Sequence, residues 1–369
     1  IAAGIVVGGL GVMTLASILG FAVSRHLGLT QRMLATQETG TGAMGQISLL
    51  LKAVIATSLT MQALLAAMFL PRFLSMGIDP VRAVWDSVFM AISVFNNAGF
   101  VILPEGLSSH VTDWWMLIPI ILGTTVGAIG FPVIMDVAKN LRTPRRWRLH
   151  TKLTLSTYLI LAFVGALALA LTEWSNPATL GAIDTPSKIL NAMLAGVNSR
   201  SSGLSALDVG AMRSQTHFVQ DILMMIGGGS ASTAGGVKVT TFAVLVLAVI
   251  AEARGDRDIE TFGRRIPTSA VRLAVAVSLL GLALVAVSVV LLLSMTNYSL
   301  DIILFETASA FATVGLSTGI TPALPVGAKY VLIFLMFAGR TGSMTVAAAL
   351  ALRERSRVIR MPEERPIIG

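Results

Sequence analysis

Residues 301–316 read DIILFETASAFATVGL, a short apolar helix pattern that runs directly into the segment Thr313-Val314-Gly315-Leu316. Such a helix is too short to cross a bilayer, because a crossing takes about 20 residues. Non-helical backbone at membrane depth is tolerated only inside protein or beside a water-filled path. The stretch therefore predicts a re-entrant helix followed by a buried, glycine-containing loop.

The same combination occurs twice more in the chain. Residues 84–95 precede Asn96-Asn97-Ala98-Gly99-Phe100, and residues 187–195 precede a segment ending in Arg200-Ser201-Ser202-Gly203-Leu204. The alternative interpretation is three unrelated extracellular loops, but their common order of apolar helix, polar residues and glycine argues against it. We call these segments glycine loop 2 (residues 96–100), glycine loop 3 (200–204) and glycine loop 4 (313–316).

The spacing of the glycines indicates an internal repeat. Gly99, Gly203 and Gly315 are 104 and 112 residues apart, and a second glycine pattern recurs every 106 residues at positions 130, 236 and 342. This second pattern also occurs at residues 8–11, so we expect its own glycine loop to lie before residue 1. Self-similarity at a fixed period predicts a repeat architecture. We predict an all-α integral membrane protein, a fourfold pseudo-repeat of helix–pore helix–filter loop–helix units around a central pore, with the first unit truncated.

The predicted units follow from this period. Residues 1–46 form the tail of unit 1, with its second helix and a cytoplasmic linker, and residues 47–148 form unit 2. Unit 3 (149–266) contains an intramembrane glycine-rich loop, and unit 4 (267–369) carries a cytoplasmic C-terminus. Apolar stretches of spanning length support these boundaries. They lie at 1–23, 49–70, 114–138, 153–172, 218–251 (interrupted), 270–295 and 327–352.

The composition excludes most classes of soluble protein. The 369 residues are 54% apolar and only 12% charged, with a mean hydropathy of +0.80, whereas soluble domains are about 25% charged. A soluble enzyme, a disordered chain and a disulfide-stapled secreted fold are excluded. The absence of Cys and the count of 4 His argue against a zinc, haem or thiol centre.

The net charge of +8 sets topology and does not indicate nucleic-acid binding. Nineteen of the 27 Lys and Arg lie between alternate spans or at the C-terminus, and the positive-inside rule places that side, with the C-terminus, in the cytoplasm. Ten acids against six bases on the other side would attract cations to the mouth of a pore. Some of these acids would instead cap helices or pair with Arg82 and Arg200. The six predicted outer bases are Arg72, Arg82, Lys188, Arg200, Arg213 and Lys329.

A fourfold arrangement of re-entrant helices with glycine loops suggests a pore for a bare cation. Backbone carbonyls can replace the hydration shell of an ion, and glycine adopts at little steric cost the conformations that aim successive carbonyls the same way. Carbonyl oxygens suit hard alkali cations rather than transition metals. The predicted filter residues are Asn97, Ala98, Gly99, Ser201, Ser202, Gly203, Thr313, Val314 and Gly315.

A second element lies inside a span. Residues 227–236 read GGGSASTAGG, which contains too much glycine for a stable helix at up to about 1 kcal/mol per residue. A break within a span normally marks a functional element; the alternative is close helix packing through small residues. The spacing of a phosphate-binding Walker loop is absent. We call residues 227–236 the glycine-rich segment.

Two cations, Lys238 and Arg340, lie at membrane depth beside this second glycine pattern, two residues after Gly236 and two before Gly342. A buried cation is costly and usually marks a pore, a partner or a bound carbonyl. Arg340 is predicted either to bind carbonyls of the glycine-rich segment or to repel ions, and snorkelling is the alternative for both. The predicted gate residues are Gly227, Gly228, Gly229, Ser230, Ser232, Thr233, Gly235, Gly236, Lys238 and Arg340.

The glycine loops 2 and 4, with residues 313–322 and 226–242, resemble the Ktr/Trk/HKT superfamily of potassium transporters. Residues 362–369, PEERPIIG, resemble the membrane subunit of the Ktr system in particular. The resemblance implies four linked channel-like units, a homodimer and an intramembrane loop that obstructs the pore. It also implies a cytosolic RCK/KTN-type nucleotide-binding ring on the basic face, with ATP, ADP or NAD on that partner only and no cofactor bound covalently here. One departure is Ser201-Ser202-Gly203-Leu204, where the family more often has Thr-Ala-Gly-Phe.

The sequence therefore predicts potassium uptake across the cytoplasmic membrane through a carbonyl-lined filter, gated by the glycine-rich segment and a cytosolic regulator. A carrier or channel for Na⁺ or NH₄⁺ on the same scaffold remains an alternative. An intramembrane enzyme is a weaker one, because the acids near span interiors, Asp136 and Asp221, fall at opposite sides of the membrane in the predicted topology.

Overall fold

The computed structural model describes residues 1–11, 14 and 43–342. These residues are mostly helical, and residues 362–369 and most of the predicted linker of unit 1 lie outside them. In chain order the elements are α1 (Ala2–Gly11), α2 (Ala43–Ser75), α3 (Pro80–Phe95), α4 (Trp114–Ile129), α5 (Phe131–Lys139), α6 (Leu149–Glu173), α7 (Thr185–Asn198), α8 (Ser214–Met225), α9 (Val239–Arg254), β1 (Ile259–Thr261), β2 (Arg264–Ile266), α10 (Thr268–Met295), α11 (Leu300–Ala312) and α12 (Val326–Phe337).

Within the described part of the chain, three helices are long and apolar enough to cross a membrane. They are the stretch Leu51–Ser75 of α2, all of α6 and all of α10. They coincide with the spans predicted at 49–70, 153–172 and 270–295. Large apolar side chains remain exposed on all three. Such a surface is expected of helices that face lipid tails rather than water.

The predicted re-entrant helices are present as α3, α7 and α11, each a few residues longer than the sequence pattern. Their N-termini show why they begin where they do. Asp79 accepts hydrogen bonds from the backbone of α3, and Asp184 does the same for Ser187 in α7. A proline occupies the first turn of both helices, where no backbone donor is lost. We refer to α3, α7 and α11 as the pore helices.

The apolar stretch predicted to span at 114–138 is present but sharply bent. Helices α4 and α5 meet at 97° on either side of Gly130, whose φ of 92° and ψ of 150° are open essentially to glycine alone. The bend exposes backbone groups, which the glycine-rich segment satisfies. Gly229 donates to the Ala128 carbonyl at 2.8 Å, and Phe131 donates to the Ala231 carbonyl at 3.3 Å.

The interruption predicted within 218–251 is present. Helix α8 ends at Met225 and α9 begins at Val239, with the glycine-rich segment between them. The predicted all-α class is confirmed, and past α9 the described residues add only a small antiparallel hairpin of β1 and β2. Its two-residue turn, Phe262 and Gly263, has positive φ at both positions, as a type I′ hairpin turn requires.

The units pack in chain order around a common centre. Helix α4 of unit 2 contacts the pore helix α7 of unit 3, and α8 of unit 3 contacts the pore helix α11 of unit 4. The largest apolar core likewise combines side chains of α2, α3 and α4 with Leu190 and Leu194 of α7. Each second helix therefore supports the pore helix of the next unit, and the three glycine loops are brought together.

Candidate functional site

Glycine loops 2 and 4 share one backbone conformation. In loop 2, Asn97 (φ 53°) and Gly99 (φ 74°) are left-handed, and in loop 4 the same is true of Thr313 (φ 52°) and Gly315 (φ 97°). The residue between each pair is not left-handed. Alternation of this kind turns successive carbonyls toward the same side, which is the arrangement of a carbonyl-lined filter.

Each glycine loop is closed by the same kind of hydrogen bond. A polar side chain near the end of the pore helix donates to the carbonyl of the residue that follows the glycine. This bond fixes the loop against its own helix, so the carbonyl direction does not depend on the ion. The donor and acceptor pairs are Ser93 with Phe100 at 2.7 Å, Asn198 with Leu204 at 2.6 Å, and Ser309 with Leu316 at 2.6 Å.

The three loops contact one another through their glycines. A Cβ atom on Gly99 would overlap the Ser202 carbonyl of loop 3, and a Cβ atom on Gly203 would overlap the Val314 carbonyl of loop 4. Loops 2, 3 and 4 thus follow one another around a shared centre, and a side chain at either position would push adjacent loops apart. All nine predicted filter residues lie in this cluster.

Glycine loop 3 departs from the other two. Its left-handed residues are Ser202 and Gly203, which are adjacent. The closing donor, Asn198, stands five residues before the glycine instead of six. The loop is therefore wound one residue tighter. Its Arg200 was predicted to lie on the outer side with an acid partner; in the structure Arg200 is completely buried, and it forms none of the ion pairs of the described residues.

The second glycine pattern has a packing role that the sequence did not reveal. A Cβ atom on Gly127 would overlap the Phe95 carbonyl at the end of the pore helix α3. One on Gly339 would overlap the Phe311 carbonyl at the end of α11. These glycines let the second helix of a unit lie directly against the C-terminus of its own pore helix.

The glycine-rich segment is a compact, buried turn beside the loops. Its two ends pair like parallel strands, with Gly227 donating to the Val237 carbonyl at 2.8 Å and Val237 donating to the Met225 carbonyl at 3.2 Å. Inside the turn, the Ser232 hydroxyl donates to the Gly229 carbonyl at 2.6 Å. The small residues therefore build a defined structure between two helices, as backbone at membrane depth requires.

Thr233 connects this segment to two other units. Its hydroxyl accepts a hydrogen bond from the side-chain amide of Asn97 in glycine loop 2 at 2.5 Å, and donates to the Gly127 carbonyl at 3.1 Å. Its own carbonyl accepts a hydrogen bond from Arg340 of unit 4. Thr233 is completely buried, so a single residue joins the segment to units 2 and 4.

The two cations predicted at the gate bind consecutive carbonyls of the segment. Arg340, in the π-helical turn Ala338–Gly342 that follows α12, donates to Thr233, as one of the predictions proposed. Lys238 is 9% exposed and its Nζ lies 2.5 Å from the Ala234 carbonyl. Neither side chain snorkels to an interface, and both donate to carbonyls that the broken helix leaves free.

Sequence reasoning missed the Asn97–Thr233 hydrogen bond and the burial of Arg200. The first joins residues 136 positions apart, which no local pattern connects. The second had a signal, because Arg200 directly follows a buried apolar helix and is only three residues from Gly203. Counting it with the outer bases overlooked this position.

Together the fold and the glycine loops define a membrane transport protein assembled from channel-like units. The chain belongs to the TrkH family, described as cation transport protein, whose model matches residues 2–359. The predicted membership of the Ktr/Trk superfamily is thereby confirmed. The family is one of transport proteins, so the alternative of an intramembrane enzyme is set aside.

Relatives cover almost the whole chain. It is 37% identical to the Ktr system potassium uptake protein B of Bacillus subtilis over 363 residues, which are 98% of this chain and 81% of that protein. It is 31% identical to the potassium/sodium uptake protein NtpJ of Enterococcus hirae over an alignment of 375 residues that covers 98% of this chain and 81% of that protein. The crystal structure of the potassium transporter TrkH from Vibrio parahaemolyticus matches with a TM-score of 0.68 and 18% identity, over 94% of this chain and 70% of that one. This last match supports the fold.

Proposed function

We propose that this chain takes up potassium across the cytoplasmic membrane through a path lined by the carbonyls of the glycine loops. The observation that carries the proposal is the alternating backbone of loops 2 and 4, closed by side chains of the pore helices. Carbonyls held in this way replace the hydration shell of an alkali cation without a titrating ligand. The names of the relatives from Bacillus subtilis and Enterococcus hirae agree with K⁺ as the substrate ion.

Ion flux into proteoliposomes tests this function. With K⁺, Rb⁺, Na⁺ or NH₄⁺ as the driven ion, we expect K⁺ and Rb⁺ to enter faster than Na⁺ and NH₄⁺. Equal or faster Na⁺ entry would favour the mixed specificity in the name of the Enterococcus relative. No flux of any of the four ions, in vesicles shown to contain folded protein, would contradict the proposal.

We further propose that the glycine-rich segment is the gate. It lies against glycine loop 2 through Thr233 and against the α4–α5 bend through Gly229, and its carbonyls are held by Lys238 and Arg340. The gate residues named from the sequence thus form one hydrogen-bonded element. To open the path, the glycine-rich segment has to move away from Asn97. This movement breaks the hydrogen bond from Arg340 to the Thr233 carbonyl.

The regulator is proposed to act from the cytoplasmic side. By family resemblance, the protein is a homodimer on which an RCK/KTN-type ring docks, and ATP, ADP or NAD binds that ring and not this chain. The basic residues between spans support a cytoplasmic face on the side where the ring docks.

Single introduced cysteines test which loops face the cytoplasm, because the chain has no cysteine of its own. We expect Leu141→Cys to react with an impermeant thiol reagent from the cytoplasm only, and Ser108→Cys from outside only.

A further inference from the structure

Arg200 is the largest completely buried side chain among the residues that the structure describes. It follows the pore helix α7 and stands three residues before Gly203; Asn96 and Ala312 occupy the matching positions of the other two loops. Its Nη1 donates to the Tyr158 carbonyl at 2.8 Å, and its guanidinium carbon lies 3.8 Å from the centroid of the Tyr158 ring. The side chain therefore points behind loop 3 toward α6, and not into the ion path.

No carboxylate compensates this charge in the described part of the chain. The ion pairs among the described residues do not involve Arg200; they are Arg72 with Asp113, Arg82 with Asp86, and Arg265 with Asp258. The Nε of Arg200 has no hydrogen-bond partner there either. A buried charge is costly unless it is paired. This one is held by carbonyls and an aromatic face, so its field is not cancelled by a neighbouring anion.

The positive charge of Arg200 lies beside the C-terminus of α7 and offsets the negative end of the helix dipole. A pore helix points the negative end of its dipole toward the loop that follows it, which favours cations there. The Nη2 of Arg200 approaches the Gly196 carbonyl in the last turn of α7 at 3.5 Å. The residues that occupy the matching positions after α3 and α11, Asn96 and Ala312, carry no charge. Unit 3 thus attracts cations less than units 2 and 4 do.

We propose that Arg200 is a positioning residue that lowers the affinity of the path for K⁺ at glycine loop 3. Its fixed positive charge offsets the α7 terminus and promotes release of the ion, because conduction requires binding weak enough to leave. As a general magnitude, a unit charge about 10 Å from a bound cation, at an effective dielectric constant of about 20, changes cation binding roughly tenfold. The inference rests on the proposed function, since it assumes that K⁺ passes the glycine loops.

Variants at position 200 separate charge from packing. Arg200→Met and Arg200→Gln remove the charge, the second with a side chain that can still donate to a carbonyl, and Arg200→Lys keeps it. We expect both neutral variants to lower the KM for K⁺ uptake about tenfold and to reduce the maximal rate, while Arg200→Lys stays within about twofold of wild type in KM. Arg82→Met, which removes an exposed charge, should leave KM within about twofold.

The KM comparison decides the proposal. An unchanged KM in the neutral variants, or an equal shift in Arg200→Lys and Arg200→Met, would overturn it. Loss of folded protein in both neutral variants would also overturn it, because Arg200 would then serve stability. Failure of the proposed function is distinguishable, since wild-type protein in the same vesicles would then show no K⁺ uptake at all.

Discussion

The side-chain amide of Asn97 donates a hydrogen bond of 2.5 Å to the hydroxyl of Thr233. Asn97 is a left-handed residue of glycine loop 2, and Thr233 is in the middle of the glycine-rich segment. The proposed filter and the proposed gate are therefore joined directly. A change in one alters the hydrogen bonding of the other, and coupling between two sites is reciprocal.

Thr233→Val tests this link, because valine has nearly the same shape but can neither accept from Asn97 nor donate to the Gly127 carbonyl, which keeps the Thr233 backbone amide as a donor. An unpaired buried amide on Asn97 costs about 1–3 kcal/mol, and 1.4 kcal/mol is a tenfold change in an equilibrium. We expect K⁺ flux without the cytosolic partner to rise about tenfold. Thr124→Val is the matched control, since the Thr124 hydroxyl is buried without a partner in the described structure. Equal flux in both variants would show that the link does not hold the gate.

Arg340→Gln should also open the gate. The Arg340 guanidinium donates to the Thr233 carbonyl, and a hydrogen bond from a charged group contributes about 1.5–3 kcal/mol. Its loss is expected to raise partner-independent flux by roughly tenfold or more, with little change in K⁺/Na⁺ discrimination. Flux with and without the partner measures this, and Lys329→Gln is the control, because it removes a half-buried cation that donates to the Pro322 carbonyl away from the segment. If K⁺ flux through Arg340→Gln still depended fully on the partner, the glycine-rich segment would serve helix packing and not gating.

Gly99→Ser should impair selectivity. Gly99 has a φ of 74°, which costs a residue with a side chain about 1–2 kcal/mol, and its Cβ would overlap the Ser202 carbonyl. We expect lower K⁺/Na⁺ discrimination or a higher KM. Gly77→Ser is a close control, because Gly77 has a φ of 73° and nothing within 4 Å of the added Cβ. Selectivity that falls equally in both variants would point to general strain and not to the loop.

Ser309→Ala removes the bond that closes glycine loop 4. The Ser309 hydroxyl donates to the Leu316 carbonyl at 2.6 Å and accepts from the Gly315 amide at 3.2 Å. We expect a loss of about 1–2 kcal/mol in the free energy of unfolding and a several-fold loss of K⁺/Na⁺ discrimination. In the control, Ser278→Ala, the hydroxyl lacks a partner within the described residues. Thermal unfolding and competitive flux report the two effects, and unchanged discrimination would separate the bond from selectivity.

Local sequence signals predicted the pore helices and glycine loops well. Apolar helices too short to span, each followed by a glycine that must be left-handed, leave few alternatives. The bend at Gly130 was missed because Gly-Phe-Pro within an apolar run fits a continuous span equally well by hydropathy. The bend depends on the glycine-rich segment, because this segment forms hydrogen bonds with the exposed backbone groups. The segment lies about 100 residues later in the chain. The Asn97–Thr233 bond and the partners of Arg200 are likewise tertiary contacts without a local signature.

The most direct test of the account is the position of the ion. Thallous ion, a K⁺ mimic with strong anomalous scattering, can be diffused into crystals of protein that transports it in vesicles. We predict an anomalous peak in contact with backbone carbonyls of glycine loops 2, 3 and 4 together, and its loss in Gly99→Ser but not in Gly77→Ser. Thallous ions bound elsewhere in the protein, with the carbonyls of the three loops empty, would contradict the claim that these loops form the path for potassium.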